Sequence, residues 1–211
     1  SRTGSTKESL ADVAGLDGET ENGSVMSRTL GLLLITGMTA LGQARVESLL
    51  KQMTVEEKVG QMTQVTIDVV TAGGVGAAHR LDAKKLEDAV LKYHVGSILN
   101  VNGEAYTVDH WHDVLNAIQD TVEKSRLKIP VLYGIDSIHG ATYTLGSVLF
   151  PNAISAAATW NVGLVKRSAE ISAFQTRASG IPWVFYPVLD IGRQPLWPRM
   201  WETYGEDPYL A

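Results

Sequence analysis

Along this chain the apolar positions alternate between helical stripes and short strand-like runs. Val46, Leu49, Leu50 and Met53 fall at i, i+3, i+4 and i+7, one face of a short helix. Thr54-Val-Glu-Glu57 then has the spacing of a capping box, which starts the next helical turn. Val59 to Val70 is rich in β-branched residues and reads as a first strand, followed by a Gly-rich loop from Ala72 to Gly76. Leu86, Val90 and Tyr93 predict a helix, and Val95 to Leu99 a second strand that gives way to a polar loop at Asn100 and Gly103. Trp111, Leu115, Ile118 and Val122 mark the next amphipathic helix, and the basic residues from Lys124 to Lys128 suit its negative pole.

Two later segments are built alike. Ile129 to Asp136 and Ile181 to Asp190 are apolar runs that open with proline at the second position and close on aspartate. Proline at a strand's start gives up the least hydrogen bonding, and runs apolar on both faces suit a parallel sheet covered by helices. Between them Asn161 is placed to cap a helix from Val162 to about Ser179, with Gly180 just past its end. The pattern predicts an α/β fold, the first four βα units of a (β/α)8 TIM-type barrel within residues 45–211, with the fourth helix lacking. A complete barrel takes about 250 residues, so the expectation is an incomplete domain.

The front of the chain reads differently. Residues 1–25 are rich in Ser, Gly, Thr and Glu without periodicity, the pattern of a disordered leader or of non-native readthrough. Residues 26–44 follow signal-peptide grammar, with Met26 and Arg28 before the apolar stretch Leu30 to Leu41 and the closing Gly42-Gln43-Ala44. That stretch is shorter than the roughly 18 to 20 residues that cross a bilayer, so no membrane span is expected after cleavage. A buried core helix is the alternative for it.

Composition narrows the partners. The 211 residues are 45% hydrophobic and 19% charged, enough for a packed core. Lys plus Arg number 18 against 23 Asp plus Glu without a basic run, so a nucleic-acid partner is not expected. The absence of cysteine removes disulfides, thiolate metal sites and a cysteine nucleophile. No metal or cofactor is expected, since no His cluster has ligand spacing and no Lys stands at a strand end for a Schiff base.

Barrel enzymes work at the carboxyl ends of their strands. Asp136 and Asp190 both stand there, and Asp136 opens the sequence Asp136-Ser-Ile-His139-Gly. A carboxylate at that point accepts sugar hydroxyl protons or caps the next turn, and His139 beside glycine braces a loop more readily than it acts as a base. The segment from Asp190 to Pro208 carries Arg193, Trp197, Arg199, Trp201, Glu202, Tyr204, Glu206 and Asp207. Guanidinium forks and flat rings are what a polyol site needs, and the same residues also make an internally braced loop. Arg199 is expected to reach the ligand, Arg193 and Asp207 to tie the loop down.

Leu-Tyr-Gly-Ile-Asp136-Ser-Ile-His-Gly, Leu149-Phe-Pro, Pro187-Val-Leu-Asp-Ile and Trp197-Pro-Arg199-Met-Trp-Glu-Thr-Tyr-Gly-Glu-Asp-Pro-Tyr-Leu210 together resemble glycoside hydrolase family 3 of the bacterial β-glucosidase type. The likeness runs from residue 45 to 211, and one departure is Leu196-Trp-Pro-Arg where many members have Arg-Trp-Gly-Arg. It implies a fragment of a retaining, exo-acting β-glycosidase in which Asp136 and Arg199 hold the sugar of the −1 subsite. His139, Asp190 and Glu202 are the candidates for support behind them. The resemblance further implies that no catalytic residue lies in this chain, because the motifs for the Lys-His pair, the nucleophilic Asp and the acid/base Glu are not met before Ala211. The implied partner is a β-linked oligosaccharide or an aryl or alkyl β-glucoside, and the implied location is secreted, in the periplasm. A non-catalytic carbohydrate-binding or pseudoenzyme fragment is the alternative. Oligomeric state is not legible.

Overall fold

A computed structural model describes residues 42–73, 80–101 and 103–211. The leader over residues 1–25, the apolar core of the signal segment and most of the Gly-rich loop lie outside the described residues. Residues 42–52 form a helix, α1, stitched by i,i+4 bonds such as Gln43 Nε2 to Glu47 Oε1 at 2.9 Å. It ends before Met53, so the fourth member of the expected stripe is not helical.

In the body that follows, Thr54 opens α2 (Val55–Gln61) with a reciprocal capping box. Glu57 N–H donates to Thr54 Oγ1 at 3.2 Å, and Thr54 N–H to Glu57 Oε2 at 2.8 Å. This helix corrects the expected first strand. Residues 59–61 belong to α2, and only Gln64–Thr66 pair as β1 before a 3-10 turn over Ile67–Val70. The β-branched side chains there favour a strand, but helix propagation from the cap overrides the weak local preference.

The other elements follow in order. Helix α3 (Ala83–Glu87) is capped by Asp82 and runs on as a π-helical turn through Lys92, closed by Tyr93 N–H on Asp88 O. Next come β2 (Ser97–Leu99), α4 (Val108–Val122) and β3 (Leu132–Ile135). Two helices then precede β4 (Trp183–Val184): a short unforeseen α5 (Ala153–Ala157) and α6 (Val162–Ala178). Asn161 caps α6 by accepting from Leu164 N–H at 3.1 Å, and Gly180 closes it at φ 81°, a conformation that suits glycine.

All four strands are parallel and neighbours in space in chain order, β1-β2-β3-β4. Winding in one direction without a switch point is the order of a βα barrel and not of a doubly wound sheet. Tyr133 and Ile135 of β3 turn toward the helices, where Trp111 of α4 meets Tyr133 edge to face at 5.5 Å. Ile98, Ile118, Leu86 and Val90 complete this core, whereas Tyr93, expected in the stripe, is exposed. On the opposite face Leu132 is 50% exposed, so β3 is covered fully on its helix side only. Gly134 leaves room there for Phe185, whose ring carbon would lie 2.2 Å from an added Cβ.

The expected strand Ile181 to Asp190 is likewise shorter in the fold. Phe185 N–H donates to Ile135 O at 3.1 Å, and the next inward-facing donor would be residue 187. Residue 187 is proline, which has no N–H, so the ladder stops and the chain turns across the strand ends. Residues after β4 contain one 3-10 turn, Met200–Glu202. Among the described residues, no helix is long and apolar enough to cross a membrane.

Two contacts seal the amino-terminal end of the body. An added Cβ on Gly96 would stand 2.1 Å from the carbonyl oxygen of Gln61, so α2 passes against the start of β2 with no room for a side chain. Arg126, beyond α4, donates to the buried Glu57 carboxylate at 2.6 Å. That bond, then the Thr54 N–H, hold the Glu57 carboxyl below its ordinary value of 4.5. Gly96→Ala is expected to cost about 1–3 kcal/mol of stability by overpacking, read as a lowered denaturant midpoint; an unchanged midpoint contradicts the close approach. Because the folded carboxyl is depressed, its contribution is present above 4.5 and lost as pH falls through the lower folded value. Arg126→Met therefore flattens the acid side of the melting-temperature profile, and an acid slope equal to wild type contradicts the pairing.

Candidate active site

Strand register brings the first polar groups together. Leu99 pairs with Gly134, so the next residue of the second chain segment, Asn100, lies beside the end of β3. Asp136 N–H donates to Asn100 Oδ1 at 2.8 Å while Asn100 Nδ2 donates to Asp136 Oδ2 at 2.6 Å. Asp136 is thereby held at the carboxyl end of the sheet, half-buried, with acceptor capacity left over.

The segment after β4 builds the facing wall. Asp136, Ile138, Phe185, Asp190, Trp197, Arg199 and Glu202 line one cleft of about 590 Å³. Glu202 is buried at 5% exposure and forks the guanidinium, accepting from Arg199 Nε at 3.0 Å and from Nη2 at 2.6 Å. The Arg199 side chain itself remains 57% exposed. Its basicity is raised first by the hydrogen bond and charge of Glu202, then by Asp136 and Asp190. Three carboxylates (Asp136, Asp190, Glu202) against one guanidinium (Arg199) leave the cleft net negative. An acceptor, a donor fork and two aromatic walls can bind a neutral polyol through its hydroxyls and its C–H faces.

The remaining candidates are placed elsewhere. His139 lines a neighbouring cleft of about 220 Å³ with Ser137, Thr176, Tyr186 and Tyr204, not the one that holds Asp136. Its carbonyl accepts from Phe150 N–H at 2.7 Å, and Gly140 after it has φ 116° with Val148 O 2.2 Å from any Cβ. In that cleft the Tyr186 and Tyr204 hydroxyls bond at 2.9 Å, and burial first, then this bond, push the Tyr186 phenol upward. Arg193 Nε donates to the Glu206 carbonyl at 3.2 Å, and Asp207 accepts from Tyr209 N–H at 2.8 Å. Asn100 was not singled out from the sequence, because what marks it is the pairing of the second and third strands that sets it beside Asp136. Among the described residues, no group of three or more His, Asp or Glu is arranged to hold a metal ion.

Sequential parallel strands with a polar cleft on their carboxyl rim define the class: part of a βα barrel, a fold whose sites lie at such a rim. The chain belongs to glycosyl hydrolase family 3, whose N terminal domain matches residues 54–211. It is 43% identical to a lysosomal beta glucosidase of Dictyostelium discoideum over 175 residues, covering 79% of this chain and 21% of that protein. A periplasmic beta-glucosidase of Salmonella typhimurium is 30% identical, with 80% of this chain and 19% of the relative covered. Among solved structures, an exo-1,3/1,4-beta-glucanase from a Pseudoalteromonas species superposes with a TM-score of 0.64 at 32% identity, over 79% of this chain and 20% of that one. The chain spans about a fifth of the length of the curated relatives it matches.

Proposed function

We propose that this chain supplies the sugar-holding part of the −1 subsite of a retaining, exo-acting β-glycosidase, specifically a β-glucosidase. The observation that carries the reading is the pairing across one cleft of a held carboxylate, Asp136, with a guanidinium, Arg199, locked by buried Glu202. Asp136 accepts hydrogen bonds from two hydroxyls of the glycosyl unit, and Arg199 donates to the same unit through the edge that Glu202 leaves open. Asp190 sits at the rim, and His139 braces the turn behind Asp136 through its carbonyl bond to Phe150.

Retaining hydrolysis uses two carboxyl groups about 5–5.5 Å apart, one of them protonated at working pH. Glu202 is unsuited to either part because its oxygens are engaged by Arg199 inside the protein. In this reading the nucleophile and the acid/base come from other parts of a complete enzyme, for which 45–211 supplies the first part of the barrel, as the family resemblance implies. The substrates are β-linked gluco-oligosaccharides and aryl or alkyl β-glucosides, a class supported by the beta-glucosidase relatives and the glucanase neighbour. Secretion, by way of a signal segment over 26–44, is supported by the apolar pattern of that segment and by the periplasmic Salmonella relative.

Two measurements test this. The 211-residue chain alone is expected to leave an aryl β-glucoside unhydrolysed, and turnover by the purified chain overturns the division of labour. In the complete enzyme, Asp136→Ala should lower kcat/KM by on the order of 100-fold, about 3 kcal/mol for hydroxyl bonds to a charged acceptor left unmade. Wild-type kcat/KM in that variant places the sugar site elsewhere. A complete enzyme that binds β-glucosides through Asp136 without cleaving them supports the non-catalytic carbohydrate-binding alternative.

A further inference from the structure

Every polar group of Asn100 with a bond in the structure is committed to β3 or to Asp136, the residue after it. Its N–H donates to Gly134 O at 3.0 Å and its carbonyl accepts from the Tyr133 hydroxyl at 2.6 Å. Its side-chain oxygen accepts from Asp136 N–H at 2.8 Å and its NH2 donates to Asp136 Oδ2 at 2.6 Å. The backbone N–H of Asp136 can only donate, so the accepting atom of Asn100 must be oxygen and the atom facing the carboxylate must be the NH2. The orientation of the amide is thus set by the chemistry of its partners. Asn100 also has φ 54°, a left-handed conformation that asparagine tolerates better than most side chains.

Few residue types meet all of these demands. Serine would have to accept from the Asp136 N–H and donate to its carboxylate through a single short-armed oxygen, where Asn100 spans the two groups with separate atoms. Aspartate has the right shape but would set a second carboxylate against the first. Glycine takes the backbone conformation and offers nothing to Asp136. The anchor beneath is rigid, since Tyr133 is 1% exposed and packed against Trp111. Burial and then the neighbouring Tyr106 and Asp68 charges push the Tyr133 phenol far upward, so it stays a neutral donor.

We infer that Asn100 is a positioning residue for substrate binding: its carboxamide occupies one side of the Asp136 carboxylate, fixes the rotamer, and leaves the remaining acceptor sites to two hydroxyls of the bound sugar. The inference rests on the reading of Asp136 as the sugar-holding carboxylate. Asn100 touches no substrate in this account and acts only through Asp136. Its removal frees the carboxylate to rotate and to spend its acceptor sites on water, which weakens the transition state more than the ground state because the hydroxyl bonds tighten there.

A double-mutant cycle in the complete enzyme tests it, with kcat and KM measured on an aryl β-glucoside for Asn100→Gly, Asn100→Asp, Asp136→Ala and Asp136→Ala/Asn100→Gly. Asn100→Gly keeps the left-handed backbone and should lower kcat/KM about tenfold, the scale of one hydrogen bond to a charged group, with most of the loss in kcat. Asn100→Asp should lose more than Asn100→Gly despite its closer shape. In the Asp136→Ala background, Asn100→Gly should cost less than about twofold, because the group it acts through is gone. A merely structural role lowers activity equally in both backgrounds, so additive losses overturn the inference, as does a wild-type kcat/KM in Asn100→Gly. Wild-type kcat/KM in Asp136→Ala is a different failure: it overturns the reading of Asp136 itself, and the inference falls with it.

Discussion

Where β2 and β3 pair, the Leu99 to Gly134 register leaves Asn100 and Asp136 as the first residues past the ladder on adjacent strands. Parallel strands deliver their carboxyl ends to one rim, so whatever follows the last paired residue is presented on the same side of the molecule. A slip of one position would turn Asp136 toward the helices and put Tyr133, now packed on Trp111, in the cleft. The core on the helix face therefore specifies the site on the rim. Burial of Ile98, Tyr133 and Ile135 is what keeps the carboxylate pointed where it is.

The opposite wall depends on an interruption. Pro187 cannot donate to β3, so β4 ends after two paired residues and the chain crosses over the strand ends instead of extending past them. That crossing carries Asp190, Trp197 and Arg199 to the cleft. The loop is then held by its own bonds: Glu202 on Arg199, Arg193 on the Glu206 carbonyl, Asp207 on Tyr209 N–H. A half-exposed guanidinium gains little stability from a surface ion pair, but here its partner carboxylate is buried, so the pairing serves orientation. Asp136 and Arg199 are alike in this respect. Each has one edge left open because another residue, Asn100 or Glu202, occupies the other.

Much of this was legible where the determinants are local. The Thr54 capping box, the Asn161 cap with Gly180 at the far end of α6, and the Trp111, Leu115, Ile118, Val122 stripe of α4 all depend on residues within one to three turns; all are found, with Leu115 only partly buried. Strand extents were not legible, since a ladder is set by the partner strand: residues 59–61 went to a helix and residues 185–190 to a loop. Pro187 was in plain view, but its consequence needs the alternation of donors along β4. At the site, Asp136 and Arg199 could be singled out as polar residues at a strand end and in an aromatic loop. Asn100 could not, because its importance lies in a contact 36 residues away in the chain. His139 lies three residues from Asp136, yet it lines the neighbouring cleft, as Ser137 already does.

In the proposed function everything rests on Asp136, held by Asn100, as the carboxylate that grips the sugar. A crystal structure of the complete enzyme with glucose bound tests it most directly. Two glucose hydroxyls are expected within about 3.2 Å of the Asp136 carboxylate, with Asn100 Nδ2 still on Oδ2 and Arg199 donating to the same ring. Glucose seated in the barrel with no hydroxyl in hydrogen-bond reach of Asp136 would contradict it.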